Sequence, residues 1–233
     1  MESLVLIPGV LCDRRLWSDQ IEALARSAEI IVADVTRQTT LSEMANDVLV
    51  AAPERFSLAG FSLGSQVALE IMQTAGDRVE RLALLSATHG GLLPPSVVAL
   101  RQAIATIEQG GFETYLEAAY RAYVAERRWN DAALKKIFMD MAHLVGAEAG
   151  VRQIRVLLEI ARPFSGLDQI RCPTVLIGGC EDQRTTPAAH EVLAKEISGA
   201  ELIMIEDSGH FTTLEQPDQV TQVLGAWMTK SSL

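Results

Sequence analysis

Gly60-Phe61-Ser62-Leu63-Gly64 sets a hydroxyl between two glycines, directly after an apolar run that starts at Phe56 and directly before a helical pattern over Leu63 to Ala75. A strand that reverses sharply into a helix crowds its own backbone, so only small residues fit at the turn. Such a turn lifts the Ser62 hydroxyl above the sheet and aims the Leu63 backbone N–H at whatever the hydroxyl attacks. Near neutral pH a serine hydroxyl is a poor nucleophile, and it needs a base within hydrogen-bond reach and an acid to orient that base. The chain has four histidines. His210 follows the sixth apolar run, at the sheet edge expected for Ser62, and is the expected base. His89 follows the fourth run and is expected to line the pocket as a substrate contact. His190 falls in a helical run and is expected to face solvent, and His143 lies in an inserted region.

The acid should also follow a strand. Gly178-Gly179-Cys180-Glu181-Asp182 closes the fifth run, and Asp182 is the expected acid. Glu181 is its competitor, while Asp207 stands too close to His210 along the chain to reach around the ring. A developing oxyanion needs two backbone donors. Leu63 supplies one, and Val10 is expected to supply the second, because Pro8 in Ile7-Pro8-Gly9-Val10 has no N–H. The neighbouring Cys12 is expected to be a buried, inert thiol.

Six short, nearly continuous apolar runs must position these groups. They begin near Leu4, Ile30, Phe56, Leu82, Thr174 and Leu202, with start-to-start spacings of 26, 26, 26, 92 and 28 residues. Continuous apolarity marks parallel strands covered on both faces, and a spacing near 26 fits a strand, a loop and a helix. Helical patterns run from Leu41 to Ala52, from Leu63 to Ala75 and from Pro217 to Met228. The pattern predicts an α/β fold, a doubly wound, mostly parallel six-stranded sheet. The long interval is too long for a bare loop. Pro94 and Pro95 open it, Pro163 to Gly166 close it, and Gly110-Gly111, Asn130 and Gly146 divide it into about four helical stretches. The expected organisation is a core of residues 1–92 and 166–233 with a helical cap at 93–165, lying over the strand ends where open parallel sheets bind ligands.

Together these segments resemble the α/β-hydrolase family, in particular small cofactor-free members such as the pimeloyl-carrier-protein methyl esterases and 3-oxoadipate enol-lactonases. The resemblance rests on P-G-V-L-C-D-R-R-L-W near the start, G-F-S-L-G-S, R-C-P-T-V-L-I-G-G-C-E-D with T-P after it, and the closing S-G-H-F-T-T-L-E-Q-P. Pro8-Gly9 stands where the family often has His-Gly, and the antiparallel edge hairpin that usually opens the family's sheet has no counterpart here. The resemblance implies a carboxylesterase acting through an acyl-enzyme on Ser62, Asp182 and His210, without cofactor. Hydrolysis of an enol-lactone or a carbon-carbon bond by the same three residues is the alternative, and a non-catalytic ligand receptor on this fold is another. Ser62 argues against the chemistry of members whose nucleophile is aspartate.

Composition narrows the partners. The 233 residues carry 20 Lys plus Arg against 30 Asp plus Glu, a formal charge of -10, so polyanions are repelled and nucleic acid is not expected. The longest stretch free of charged residues, Leu82 to Leu100, is broken by glycines and prolines, and no membrane association is expected. Three cysteines without CxxC spacing argue against a disulfide framework and a zinc site, and with an N-terminus lacking the positive start of a secretory signal they lead to a cytoplasmic expectation. The last inserted helix places Arg152, Arg155 and Arg162 with Glu159 on one face. These arginines are expected either to hold a substrate carboxylate or an acidic carrier protein, or to pair with Glu159 as an ordinary solvated face. The expected partner is a small ester or lactone.

Overall fold

Each apolar run becomes a strand of one sheet, fully buried at the centre and only part-buried in the two strands at its edges. The computed structural model describes residues 2–160 and 163–230. The strands are β1 (Glu2–Ile7), β2 (Ala28–Val32), β3 (Phe56–Phe61), β4 (Val79–Leu85), β5 (Thr174–Gly179) and β6 (Glu201–Ile205). They pair in the order β2-β1-β3-β4-β5-β6, every pair parallel. In β3 and β5 all six residues are buried, as strands at the centre of a doubly wound sheet must be.

Local signals start and stop the crossover helices. Helix α1 (Ser18–Leu24) follows β1, and α2 (Leu41–Ala51) begins at a capping box in which Thr40 and Glu43 satisfy each other's backbone N–H. Helix α3 (Leu63–Ala75) has no side-chain cap, so its first N–H groups stay open toward Ser62. Beyond the insertion, α8 (Pro187–Glu196) starts with Thr186 as cap and proline in its first turn; α9 (Thr212–Glu215) is one turn, and α10 (Pro217–Met228) again opens on proline. One apolar layer packs Leu4, Leu6, Trp17, Leu224 and Trp227 on one face of the sheet. A second packs Val5, Ile7, Met44, Val67, Ile71 and Leu193 on the other.

Between β4 and β5 the chain forms α4 (Pro94–Glu108), α5 (Phe112–Tyr123), α6 (Ala132–Val145) and α7 (Ala147–Glu159). Its entry and exit are tied together by an antiparallel bridge from Gly90 to Pro163 and by the Phe164 N–H donating to the His89 carbonyl. The insertion does not pack only on itself. Leu116, Tyr120, Phe138 and Met141 belong to the same apolar layer as Leu4 and Trp17, whereas Leu100, Ile107, Val151 and Ile154 form a small core between α4 and α7. Among the described residues no helix is long and apolar enough to cross a membrane.

Candidate active site

The turn after β3 holds Ser62 at φ 53° and ψ -111°, a strained conformation that persists because its surroundings allow no other. A Cβ on Gly60 would lie 2.3 Å from the Gly64 carbonyl oxygen, and one on Gly64 would lie 2.1 Å from that of Ile7. Both glycines are therefore required by backbone contact. The Ser62 N–H donates to the Leu85 carbonyl at 2.9 Å and the Ser65 hydroxyl to the Gly60 carbonyl at 2.6 Å, which locks the turn onto β4.

Ser62 Oγ lies 3.0 Å from His210 Nε2, and His210 Nδ1 lies 2.8 Å from Asp182 Oδ2. The sequence separations are 148 and 28 residues, so the fold alone joins them. Asp182 is 2% exposed. Burial by itself raises its pKa, but the charge and hydrogen bond of His210, with further hydrogen bonds from Thr185, outweigh burial and hold it below the usual carboxylate value. The N–H groups of Arg184 and Thr185 both donate to Asp182 Oδ1, and the Thr185 hydroxyl donates to Oδ2. Glu181 faces away and pairs with Arg127, as does Asp207.

The backbone around His210 is held at every polar group. Its N–H donates to the Tyr123 carbonyl at 2.6 Å, and its carbonyl accepts from the Ser86 hydroxyl at 2.6 Å. The flanking N–H groups of Gly209 and Phe211 both donate to the buried Glu215 carboxylate, which also accepts from the Ala125 N–H at 2.8 Å. Burial pushes the Glu215 pKa up, against the pull of these three donors. Phe61, Tyr123 and Phe211 pack their rings around the imidazole.

Above these residues lies a cavity of about 360 Å³ with Ser62 and His210 in its wall. Helices of the insertion supply Leu100, Tyr115, Tyr123, Ile154 and Leu157 to that wall, and the core supplies Val10, Phe61 and Phe211. Val10 and Leu63 donate no backbone hydrogen bond to protein among the described residues. Next to Val10, Leu11 adopts φ 56°, with its N–H bonded to Gln153 Oε1 at 2.9 Å while Gln153 Nε2 donates to the Val35 carbonyl. A larger open groove of about 740 Å³ lies where β4 and β5 begin, at the opposite edge from Ser62.

A sequence profile described as the alpha/beta hydrolase family matches residues 4–223. The chain belongs to the alpha/beta hydrolase family. A protein named as a carbamate hydrolase from Rhizobium rhizogenes is 25% identical over 235 residues, covering 94% of this chain and 89% of the relative. A pimeloyl-[acyl-carrier protein] methyl ester esterase from Pectobacterium carotovorum is 26% identical over 94% of this chain and 91% of its own. The fold matches a solved enol-lactonase from Burkholderia xenovorans with a TM-score of 0.88 at 19% identity, over 99% of this chain and 92% of that one.

Within this family member, some expected positions differ. His190 is not solvent-facing: its side chain is fully buried under Gly178, accepts from the Ala87 N–H at Nε2 and contacts the Thr186 carbonyl through Nδ1. Burial lowers its pKa, and the neutral ring ties the loop of Asp182 to the end of β4. His89 does line the cavity, with a buried Nδ1 that has no hydrogen-bond partner among the described residues. Arg152 and Arg155 do not line it. Arg152 donates to the Thr36 carbonyl, and Arg155 pairs with Glu108 of α4 rather than with Glu159. Arg162 lies outside the described residues. Cys12 is buried, and desolvation raises its thiol pKa far above the ordinary value. Sequence reasoning missed Gln153, Glu215 and Arg184. The closing motif contained Glu215, but nothing in its spacing announced that it grips both neighbours of His210.

Proposed function

We propose that this protein is a serine hydrolase of small carboxylic esters working through an acyl-enzyme. The observation that carries the reading is the continuous contact from Ser62 through His210 to Asp182 in the wall of a partly enclosed cavity. Ser62 Oγ attacks the acyl carbon as its proton passes to His210 Nε2, and the carbonyl electron pair becomes an oxyanion facing the N–H groups of Val10 and Leu63. Collapse breaks the ester bond, and the departing alkoxide takes the proton from His210. Water then gives a proton to His210 and attacks the acyl carbon, and the second collapse returns that proton to Ser62 and frees the carboxylic acid. Asp182 holds the ring and stabilises its charged form.

The aromatic and aliphatic wall suits a short or medium acyl chain, and a cavity of about 360 Å³ suits a metabolite rather than a triacylglycerol. Three unpaired thiols fit a cytoplasmic setting. The relative named as a carbamate hydrolase favours a second reading, in which the bond broken is a carbamate and the same residues act. A panel of esters, thioesters, lactones, carbamates and β-diketones, run on wild type and Ser62→Ala, tests both. Ester turnover that falls by about a thousandfold or more in Ser62→Ala supports the first. Preferred turnover of carbamates supports the second, and unchanged ester turnover in Ser62→Ala overturns the role of Ser62.

A further inference from the structure

The cavity wall has a charge pattern opposite to that of the whole chain. Acidic residues outnumber basic ones by 30 to 20, yet no Asp or Glu lines the cavity among the described residues, and Arg184 does. The arginines nearby are already neutralised: Arg127 by Glu181 and Asp207, Arg128 by Asp131. Arg184 has no carboxylate within ion-pair distance among the described residues. Its backbone is fixed by the N–H that donates to Asp182 Oδ1 at 2.7 Å. Its guanidinium carbon lies 5.2 Å from the centre of the Tyr123 ring, which packs in turn 5.5 Å from the His210 ring. The cation thus stands one aromatic ring away from the reacting groups, at the exposed rim. Stacking on an aromatic face holds the guanidinium while leaving its N–H edge available, and that edge matches a carboxylate.

We propose that Arg184 is the recognition site for a carboxylate on the substrate, so that the ester cleaved at Ser62 carries an anionic group a short aliphatic spacer from the scissile carbonyl. This rests on the ester-hydrolase reading and names the substrate class of that same site. The net acidic charge of the protein disfavours anions in general, so a cation in the wall of the cavity sets that site apart from the average surface. It also moves the expected carboxylate anchor from α7 to the loop that carries Asp182. A purely structural Arg184, clamping Tyr123 through its stacked face, would leave substrate charge without effect.

The test compares monomethyl adipate with methyl hexanoate, which has the same chain but an uncharged end. Wild type should favour the anionic ester in kcat/KM by about tenfold, the equivalent of about 1.4 kcal/mol, mainly through KM. Arg184→Gln should bring the ratio of the two substrates close to one, and Arg184→Lys should keep part of the preference. Adipate binding to Ser62→Ala, read by calorimetry, should weaken about tenfold when Arg184→Gln is added. Equal ratios in wild type and Arg184→Gln, or equal adipate binding with and without Arg184, would overturn the carboxylate site. Adipate binding that depends on Arg184 in a protein that cleaves neither ester would keep the site and defeat the ester reading instead.

Discussion

Around His210 the N–H groups of three successive residues and the carbonyl of the central one are all bonded to named partners inside the protein. The inserted helices are held differently. Apolar side chains join α4 to α7 and α5 to α6, and their outer faces carry exposed pairs such as Lys135 with Glu117 and Lys136 with Asp140. Backbone contacts fix a geometry that tolerates little substitution, as Gly60 and Gly64 illustrate, whereas side-chain packing accepts volume-conserving changes. Ser62, His210 and Asp182 therefore sit in the rigid region, while the adaptable one supplies a smaller part of the cavity wall, through Leu100, Tyr115, Tyr123, Ile154 and Leu157 among others. The two regions meet at Glu215, whose carboxylate receives Ala125 from the insertion and Gly209 and Phe211 from the core.

That junction gives the largest expected effect. Glu215→Ala would leave three buried N–H groups without an acceptor at about 1–3 kcal/mol each, so urea unfolding should show a loss of about 3 kcal/mol or more. Glu215→Gln keeps one acceptor oxygen and should lose less. A loss under about 1 kcal/mol for the alanine variant would show that the junction is not a structural tie. At the reacting groups, Asp182→Asn should lower kcat by about a hundredfold or more while Glu181→Gln stays within about twofold. The reverse order would exchange their roles.

The sequence made the rigid region legible because its constraints are local. Unbroken apolar runs announced all six strands, and the glycines around Ser62 announced the turn. Pro94, Gly111 and Gly146 likewise marked the helix boundaries of the insertion. What stayed hidden depends on contacts distant along the chain. His190 has the spacing of a surface helix position, and only the approach of Gly178 and Ala87 buries it. Arg152 and Arg155 form a convincing polar face until Thr36 and Glu108 engage them. Gln153 reaches Leu11 across 142 residues, which no local pattern encodes.

Two smaller effects sharpen the contrast. His190 has a folded pKa below its ordinary value, so its neutral form stabilises the fold above the unfolded pKa near 6.5, and this is lost as pH falls through the folded value. Glu215, with a raised pKa, works in the opposite sense, its contribution fading as pH rises. From pH 7 to pH 5 the melting temperature of His190→Gln should therefore fall less, or rise more, than that of wild type, the opposing contribution of Glu215 being common to both. Identical slopes would remove His190 from the account. On the outer face of the insertion, Lys136→Ala should change stability by no more than about 0.5 kcal/mol, since exposed i,i+4 pairs contribute little. A change above 1 kcal/mol there would mean that the insertion is less adaptable than its packing indicates.

The central claim is that Ser62 is the nucleophile activated by His210. Incubation with a serine-directed phosphonate, followed by peptide mass spectrometry, measures it directly. The account predicts a single covalent adduct on the peptide carrying Ser62, absent in Ser62→Ala and formed at least about a hundredfold more slowly in His210→Ala. An adduct on another residue, or equal labelling rates with and without His210, would contradict it.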